Sequence, residues 1–384
     1  AREAGLKGLF VPVENGSEAA VVEGLSIYPV RHLSEVVDNL CGKTQVEPLA
    51  ADLQSLFSSR EGLGEDFCEV CGQENIKRAI EVGAAGGHNI IMVGPPGSGK
   101  TMLARRIPTI LPELSFDEAL ETSKVYSVAG LIPQKNPFIT SRPFRAPHHT
   151  ITEAGLIGGG KTPKPGEVSL AHNGVLFLDE LPEFRRHVLE VLRQPLETGT
   201  VAITRAKSSV NYPASFMLVA AMNPCPCGHL GDPRRECACT PQQVVRYRSR
   251  ISGPLMDRID LHLEVPPVPY ESLATGTHGR SSEEMRESVS TARAVQRQRF
   301  GNSGVRTNSG MNSRLVRECC QLDQSSYNLL ERAMERFGLS ARAYIRIMKV
   351  ARTVADLEGG GKIRAEHLAE AVQYRSLDRS SLGR

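Results

Sequence analysis

Short apolar runs alternate with helical patterns through the middle of the chain. The runs at 89–93, 175–178 and 216–221 are rich in Val, Ile, Leu and Phe and are bounded by turn residues. Runs of this kind are typical of strands that are buried on both faces of a parallel sheet. Helical segments separate them from about Phe67 onward, so the pattern predicts an α/β fold with a parallel sheet flanked by helices.

Glycine, proline and β-branched residues predict irregular structure and one hairpin between these strands. Gly158–Gly160 and Pro163–Gly166 predict a loop system that is too rich in Gly and Pro for regular structure. Val201–Thr204 and Phe216–Val219 are β-prone segments separated by residues 205–213. We therefore predict that these two segments are the arms of a β-hairpin.

The pattern becomes all-helical after the proline-rich segment 266–269. Apolar residues then recur at helical spacing in five segments, residues 281–299, 313–321, 325–337, 341–357 and 365–375. Four helix-start signals accompany them, at Ser281, Ser313, Asp323 and Ser340. An all-α C-terminal domain is therefore predicted over residues 276–384, after an α/β core over residues 67–275.

The first 45 residues have the pattern of a short α/β piece. They predict a strand at Gly8–Val13, a helical turn at Ser17–Val22 and a helix at Leu33–Leu40 that is capped at Ser34. Because so few residues cannot bury a core of their own, we expect this piece to be the end of a larger, truncated domain. Residues 46–66 are polar, carry few apolar repeats and predict a linker.

Composition places the chain among ordinary globular proteins. Its 384 residues are 40% hydrophobic and 23% charged, with a formal net charge of +3, which excludes a disordered or polybasic chain. No apolar run approaches the ~18 residues that a membrane-spanning helix needs. Charge is uneven, since residues 279–384 hold 19 Lys and Arg against 12 Asp and Glu. This basic tail indicates either an acidic partner or a set of solvated helices.

A glycine-rich segment directly after the first apolar run carries the clearest chemical signal. It reads G-x-x-x-x-G-K-T over Gly94, Pro95, Pro96, Gly97, Ser98, Gly99, Lys100 and Thr101. In such a loop, backbone N–H groups converge on phosphate oxygens, the lysine reaches the β and γ phosphates, and the hydroxyl binds Mg²⁺. The segment follows a strand and opens a helix predicted at Met102–Arg106, so it predicts a site for ATP and Mg²⁺.

Two adjacent carboxylates end the second apolar run. Asp179 and Glu180 follow Val175–Leu178, so a parallel sheet places both near the edge where its ligands bind. Asp179 is predicted to hold Mg²⁺ with its water shell, and Glu180 to orient and deprotonate the attacking water. This pair favours hydrolysis of the nucleotide over its mere storage.

Together these residues resemble an AAA+ ATPase. The resemblance rests on the glycine-rich loop, the Asp179-Glu180 pair, Asn223 after the third run and the segment Leu255–Leu261. It narrows to the bacterial YifB family of magnesium-chelatase-like competence proteins through long motifs at Pro143–Thr150, Gly155–Gly160, Pro182–Phe184 and Met222–Gly228. The resemblance covers nearly the whole chain. It implies a P-loop AAA+ sheet with a C-terminal helical lid, and residues 1–45 then resemble the remnant of an N-terminal Lon-protease-like domain.

The resemblance also implies roles for three further polar residues. Asn223 is similar to the first sensor, which aligns water against the γ-phosphate. Arg258 resembles the arginine finger that reaches the nucleotide of a neighbouring subunit, with Arg248 and Arg250 as rivals for that contact. Arg342 resembles the second sensor, which couples the lid to the nucleotide. Taken alone, Asn223 fits a turn cap equally well, and the arginines fit surface charges.

Two insertions of the family suggest a contact with nucleic acid. The segments 151–172 and 200–215 resemble loops that line the central pore of ring-shaped motors. Tyr212 is expected to stack on a base there. Four basic residues are placed to meet DNA phosphates: Lys161, Lys164, Arg205 and Lys207. The alternative is a pair of flexible basic loops that bind no ligand.

Four of the nine cysteines crowd into residues 225–239. Cys225, Cys227, Cys237 and Cys239 supply four thiolates for structural Zn²⁺, with His229 as a spare ligand, although C-x-C is tighter than the usual spacing. Reduced thiols in a loop are the alternative. Two other pairs are assigned no chemistry: Cys68 and Cys71 are interpreted as core cysteines, and His148 and His149 as structural residues.

The sequence predicts an Mg²⁺-dependent ATPase in the cytoplasm with no membrane partner, and the resemblance implies that it forms a ring, as a hexamer. Basic pore loops favour a motor that translocates on single-stranded or branched DNA, and the resemblance implies helicase or branch-migration work in natural transformation. A rival is the motor subunit of a magnesium chelatase, which remodels a partner protein during metal insertion. A third hypothesis is a nucleotide-dependent switch without motor activity.

Overall fold

The computed structural model describes most of the chain, which falls into two compact units. The described residues are 1–2, 4–20, 22, 24–49, 64–132, 138–160, 163–205, 208–268, 279–301 and 303–375. One unit comprises Ala1–Gly62 with Leu114–Ser141, and the other comprises Leu63–Glu113 with Arg142–Arg384. Within the described part of the chain, no helix has both the length and the apolar character that a membrane span requires.

Strands and helices alternate as far as Glu264, and helices follow. In chain order, the strands are β1 (Gly8–Pro12), β2 (Ser26–Val30), β3 (Ile90–Val93), β4 (Phe144–Arg145), β5 (Gly158–Gly159), β6 (Lys164–Pro165), β7 (Val175–Leu178), β8 (Thr200–Arg205), β9 (Ser208–Pro213), β10 (Met217–Met222) and β11 (Leu261–Glu264). The helices are α1 (Val13–Ala20), α2 (Leu33–Leu40), α3 (Glu74–Gly86), α4 (Lys100–Ile110), α5 (Phe116–Ala129), α6 (Glu153–Ile157), α7 (Glu167–Leu170), α8 (Arg186–Glu190), α9 (Arg193–Thr198), α10 (Pro241–Arg248), α11 (Gly253–Met256), α12 (Ser282–Phe300), α13 (Ser313–Cys319), α14 (Gln324–Phe337), α15 (Ala341–Leu357) and α16 (Ala365–Gln373).

In the smaller unit, β1 and β2 pair in parallel and α1 connects them. The connection is a full helix from residue 13 and not the short turn predicted around 17–22. Helix α2 occupies the predicted residues, but its N-cap is His32, so the cap predicted at Ser34 is wrong. Ser34 lies inside the first turn, where the carboxylate of Glu35 accepts the N–H of Arg31. The origin of this piece in a larger domain stays a prediction.

In the larger unit, a five-stranded sheet has the order β11-β3-β10-β7-β4. Every pairing in it is parallel, which confirms the predicted α/β class. All residues of β3, β7 and β10 are buried because helices cover both faces of the sheet. Along β3, Ile90 and Met92 join one apolar cluster and Ile91 and Val93 join another, on opposite faces. The parallel order brings the carboxyl ends of these strands to one edge.

The β-hairpin forms between different strands from those predicted. β8 pairs antiparallel with β9, from Thr200 opposite Pro213 to Arg205 opposite Ser208. The segment 216–219, predicted as the second arm, instead belongs largely to β10, which lies between β3 and β7. The physical reason is side-chain patterning: β10 is apolar at every position, whereas β9 exposes Ser209 and Asn211 and buries Tyr212.

The C-terminal helices confirm the all-helical prediction for this region. Helices α12 to α16 occupy the five predicted segments, and α12 packs against α3 and α4. Ser281, Asp323 and Ser340 each accept a hydrogen bond from a first-turn backbone N–H, as predicted. Helix α13 differs, because Asn312 caps it in place of Ser313. The domain boundary predicted near residue 276 and most of the predicted linker lie outside the described residues.

Candidate functional site

The candidate site lies where three neighbouring strands of the central sheet end. The glycine-rich loop, residues 94–101, follows β3, while Asp179 and Glu180 follow β7 and Asn223 follows β10. These strands are adjacent and parallel, so their carboxyl ends bring the three groups together. Open α/β sheets bind their ligands at this edge. The structure therefore brings together residues that are spread over more than 120 positions of the sequence.

The backbone of the glycine-rich loop requires glycine at particular positions. Gly97 and Gly99 have φ values of 76° and 89°, in the left-handed region that other residues rarely adopt. At Gly94 a Cβ atom would lie 2.2 Å from the carbonyl oxygen of Val265, so no side chain fits there. Helix α4 begins at Lys100 and extends to Ile110, well past the predicted end at Arg106. Its N-terminus faces the loop and favours an anion at that point.

Lys100 is held inside this loop by the loop's own carbonyl groups. Its Nζ donates to the carbonyl oxygens of Gly94 at 2.7 Å and Pro95 at 2.9 Å, and it lies 3.4 Å from Oδ1 of Asn223. Burial lowers the pKa of Lys100, and the negative charges of Asp179 and Glu180 oppose that shift. The ammonium group thus lies between the loop and the carboxylates, where a phosphate group would meet it.

Thr101 and Asp179 form the second contact of the site. The Thr101 hydroxyl donates to Oδ2 of Asp179 at 2.7 Å, and Oδ1 of Asp179 accepts the backbone N–H of Glu180 at 2.9 Å. A hydroxyl and a carboxylate oxygen side by side are hard ligands of the type that Mg²⁺ binds, usually together with substrate phosphates. The residues present therefore fit the predicted Mg²⁺ site.

Glu180 has a strained backbone and a half-exposed side chain. Its φ and ψ are 51° and 49°, a left-handed conformation that is uncommon for a residue with a side chain. Its Oε2 lies 3.7 Å from Nδ1 of His149. The His149 ring is tilted by 35° against the ring of His148, with ring centroids 4.0 Å apart, and it makes an edge contact with Phe184. The sequence interpretation assigned His149 no chemistry. The histidine follows β4, and because β4 is the neighbour of β7, it lies close to Glu180, which follows β7.

Arg258 lies just beyond α11 and is bound within its own chain. Its guanidinium forms an ion pair with Glu197 through Nη2 and donates from Nη1 to the carbonyl oxygen of Pro254 at 2.6 Å. Only 12% of the side chain is exposed. The two rival arginines also have partners: Arg250 pairs with Glu183 at 2.9 Å, and Arg248 donates to the carbonyl oxygen of Pro224.

Arg342 opens helix α15 and contacts the same segment. Its Nη1 donates to Oδ2 of Asp257 at 3.0 Å, and 71% of its side chain is exposed. One turn further along α15, Arg346 forms an ion pair with the buried Asp260. Burial opposes ionisation of Asp260, but Arg346 and His88 hold the pKa of that carboxyl far below its usual value. Sequence reasoning missed this pair, which anchors α15 to the segment that carries Arg258.

The predicted DNA contacts are described only in part. Lys164 is exposed in β6, which pairs with β5. Arg205 ends β8, where it lies opposite Ser208. The side chain of Arg205 and all of Lys161 and Lys207 lie outside the described residues. The expectation that Tyr212 stacks on a base is wrong for this structure, because its ring is buried and its hydroxyl donates to the carbonyl oxygen of Pro163 at 2.9 Å.

Four cysteine sulfurs converge beside Asn223. Sγ of Cys225 lies 3.4 Å from that of Cys227 and 3.6 Å from that of Cys237, and the sulfurs of Cys227 and Cys237 are 3.6 Å apart. Cys239 completes the group, with all four ligand atoms within 4.8 Å of one another. In a tetrahedral zinc site with bonds of ~2.3 Å, sulfurs lie about 3.8 Å apart. This cysteine cluster therefore fits Zn²⁺.

The surroundings of the cysteine cluster act differently on its thiols. Backbone hydrogen bonds oppose the shift, but burial and hydrogen bonds to Cys225 and Cys227 raise the pKa values of Cys237 and Cys239. The hydrogen bond from the backbone N–H of His229 helps to lower the pKa of Cys227 to about 6. His229, the predicted spare ligand, instead has its Nδ1 3.4 Å from Oδ2 of Asp232. Cys68 and Cys71 are half-buried free thiols and are not members of the cluster.

Comparison with known proteins agrees with this geometry. The family model of the magnesium chelatase subunit ChlI matches residues 66–273, and the model of its C-terminal region matches residues 279–375. Competence protein ComM of Haemophilus influenzae is 45% identical over 378 residues, which cover 97% of this chain and 72% of the relative. The YifB protein of Escherichia coli is 43% identical over 374 residues, covering 97% and 71%.

Similarity to chelatase subunits themselves is weaker. The magnesium-chelatase subunit ChlI of Cyanophora paradoxa is 24% identical over 294 residues, which cover 67% of this chain and 78% of that subunit. The two family matches together cover the central sheet, the site at its edge and the C-terminal helices. The chain therefore belongs to the magnesium chelatase subunit ChlI family and, within it, is similar along nearly its whole length to the ComM and YifB proteins.

Proposed function

We propose that this protein is a Mg²⁺-dependent ATPase of the AAA+ class that forms a hexameric ring and moves along DNA. The observation that carries the proposal is the meeting of Lys100, the Thr101–Asp179 pair and Asn223 at one sheet edge. Each of these side chains has the charge or polarity that an ATP site needs. ATP hydrolysis is the function that this site supports best. A cytoplasmic place and DNA processing in natural transformation or recombination are proposed with it, from the similarity to a competence protein.

The chain's own residues divide the work of hydrolysis. Backbone N–H groups of the loop and of the start of α4 bind the phosphates, and the Lys100 ammonium exchanges its carbonyl partners for phosphate oxygens. Thr101 and Asp179 would hold Mg²⁺, which when bound would supply charge neutralisation at the phosphates. Glu180 accepts a proton from the attacking water, and Asn223 orients that water from the next strand.

His149 positions Glu180 in this proposal, and its replacement tests the arrangement. We expect His149→Ala to lower kcat for ATP hydrolysis about tenfold while leaving the Kd for ATP unchanged, because the histidine contacts the base and not the phosphate loop. The exposed neighbour His148 provides the matched control, and His148→Ala should retain most of the activity. An unchanged kcat in His149→Ala would exclude the positioning role.

Two arginines connect the site to other parts of the ring. Arg258 exchanges its ion pair with Glu197 for the γ-phosphate held by a neighbouring subunit, where it neutralises transition-state charge. Arg342 couples the C-terminal lid to the nucleotide. Its side chain is exposed and makes one ion pair, with Asp257, so exchanging that partner costs little free energy.

The proposed DNA contact rests on two neighbouring insertions. The β5–β6 pair and the β8–β9 hairpin are joined by the hydrogen bond from Tyr212 to Pro163. Both insertions carry basic residues, and the relative in Haemophilus influenzae is named a competence protein. Basic residues on two adjacent insertions can each bind a phosphate of a DNA strand, in which the phosphates are regularly spaced.

Measuring the ATPase rate with and without single-stranded and forked DNA, from ~50 to ~200 mM salt, tests this function. We expect DNA to stimulate hydrolysis and the stimulation to weaken with salt. The association constant K for DNA is measured over the same salt range. Replacing the four basic residues Lys161, Lys164, Arg205 and Lys207 by alanine should make the slope of log K against log salt less steep by up to about 3. A charge-matched control replaces four exposed lysines elsewhere, Lys7, Lys43, Lys124 and Lys362. Equal slopes in the two variants would reject these contacts.

The alternative function is the motor subunit of a chelatase-like complex that remodels a protein partner. The family match to a magnesium chelatase subunit favours it. A stable complex with a chelatase partner subunit, together with an ATPase rate that DNA does not change, would replace the DNA motor by this alternative.

The proposal includes one structural metal. The cysteine cluster holds Zn²⁺ between its four thiolates, in keeping with a reducing cytoplasm where such thiols persist.

A further inference from the structure

The cysteine cluster lies next to the phosphate loop. Asn223 follows the end of β10 at the edge of the sheet, and the turn Cys225–Gly228 comes shortly after it. The Gly228 N–H donates to the carbonyl oxygen of Cys225 at 3.0 Å and closes this turn. The backbone of this turn contacts Pro96 in the loop. A Cβ atom at Gly228 would lie 2.6 Å from Cδ of Pro96 and 2.8 Å from its Cγ.

This contact is made by the backbone of Gly228 on one side and by the ring of Pro96 on the other, with no space for a side chain between them. Gly228 is buried and has a φ of 83°, so both its conformation and its surroundings require glycine. Pro96 is exposed on its other side. Its neighbour Pro95 supplies one of the carbonyl groups that hold Lys100. Movement of the turn would therefore change the position of the loop that binds the phosphates.

The turn itself belongs to a segment that needs an external constraint. Between the end of β10 at Met222 and the start of α10 at Pro241, the described residues form no helix or strand. Two cysteines lie near the start of this segment and two near its end, and their sulfurs meet. Because sulfhydryl hydrogen bonds are weak, thiols alone restrain such a segment poorly, whereas a metal bound by four thiolates closes it firmly.

We propose that Zn²⁺ in the cysteine cluster acts as a support for the ATP site: it holds the Cys225–Gly228 turn against Pro96 and so keeps the phosphate loop and Asn223 in the arrangement that binds nucleotide. The metal takes no part in hydrolysis. Binding displaces whatever protons the cysteines still carry and would leave four zinc–thiolate bonds. The inference rests on the proposed ATP site, and it assigns to the cluster an effect on nucleotide affinity.

The first experiment measures zinc and nucleotide binding on the same preparations. Full-length protein is purified under reducing conditions without a metal-binding tag, zinc is determined by elemental analysis, and the Kd for a fluorescent ATP analogue is measured. We expect about one zinc per chain in the wild type. Cys237→Ser should lose zinc and bind the analogue ~10- to 100-fold more weakly. The control Cys68→Ser, a half-buried cysteine outside the cluster, should retain both.

A second variant separates the contact from the metal. Gly228→Ala retains all four cysteines but places a methyl group against Pro96, so it should keep its zinc and still bind the analogue at least ~10-fold more weakly. Gly231→Ala is the control, since Gly231 also has a positive φ, of 80°, but open space around its Cα. Zinc added back to chelator-treated wild type should restore binding, which guards against variants that fail to fold.

The outcomes separate this inference from the proposed function. Wild-type protein without zinc, or zinc-free protein that binds nucleotide as tightly as the zinc-loaded form, would overturn the supporting role and leave the ATPase proposal intact. Normal nucleotide binding by Gly228→Ala would also overturn it. Zinc-loaded wild type that fails to bind any ATP analogue would instead contradict the proposed ATP site.

Discussion

Alanine at position 100 is expected to abolish ATP binding. The Lys100 ammonium is buried, and it lies between the loop carbonyls and the carboxylate of Asp179. Its loss removes the one positive side chain at the end of the described loop and leaves Asp179 and Glu180 to repel the γ-phosphate. Charge-assisted hydrogen bonds to phosphate contribute about 1.5–3 kcal/mol each, so losing two of them corresponds to a ~100-fold or larger rise in Kd.

Isothermal titration with ATP and Mg²⁺ measures this effect directly. Lys164→Ala is the control, since it removes an exposed lysine outside the site and should keep the wild-type Kd for ATP. Circular dichroism of both variants should match the wild type, because Lys100 lies at the start of α4 and not in a strand of the sheet. If Lys100→Ala bound ATP normally, the assignment of the loop as the phosphate site would be wrong.

Alanine at position 258 is expected to have a different effect: it should leave ATP binding intact and remove turnover. In the single chain, Arg258 contacts Glu197 and Pro254 and none of the loop residues. A finger that acts on the neighbouring subunit's nucleotide stabilises transition-state charge and leaves ground-state binding largely unaffected, and such arginines contribute ~10³- to 10⁵-fold in kcat. Single-turnover hydrolysis and equilibrium ATP binding separate the two quantities.

Mixing two inactive variants tests whether Arg258 acts between subunits. Glu180→Gln subunits lack the proposed base but keep the proposed finger, whereas Arg258→Ala subunits lack the proposed finger but keep the proposed base. A mixed ring contains interfaces where an intact Glu180 meets an intact Arg258, so activity should return on mixing. Arg250→Ala is the control, because Arg250, which pairs with Glu183 at 2.9 Å, is the nearest rival for the contact. Unmixed Arg250→Ala protein should keep its turnover. Mixtures as inactive as their components would show that Arg258 does not act in trans.

Much of the candidate site was predictable because its parts follow consecutive buried strands. The loop at 94–101, the Asp179-Glu180 pair and Asn223 each come directly after an apolar run. Parallel strands place such positions at one edge whatever the details of the packing. For the same reason the helical segments of the C-terminal region were predicted closely, since each helix is defined by its own apolar spacing and its own cap.

The partners of these residues were not predictable in the same way. Glu197 meets Arg258 across 61 positions, and Asp260 meets Arg346 across 86. His149 reaches Glu180 only because β4 joins the sheet beside β7. The strand that pairs with β8 was predicted wrongly, because β-propensity identifies a strand but not its partner.

The sequence by itself determined the fold class, the glycine-rich loop, the adjacent carboxylates Asp179 and Glu180 and the four cysteines as a group. These features depend on residue type and short-range spacing, which the chain carries locally. Only the tertiary structure decided that Gly228 lies against Pro96, that Arg258 is paired with Glu197 and that Tyr212 is buried. Such contacts join segments that are far apart in the sequence. They form only when the whole fold packs these segments within a few ångströms of each other.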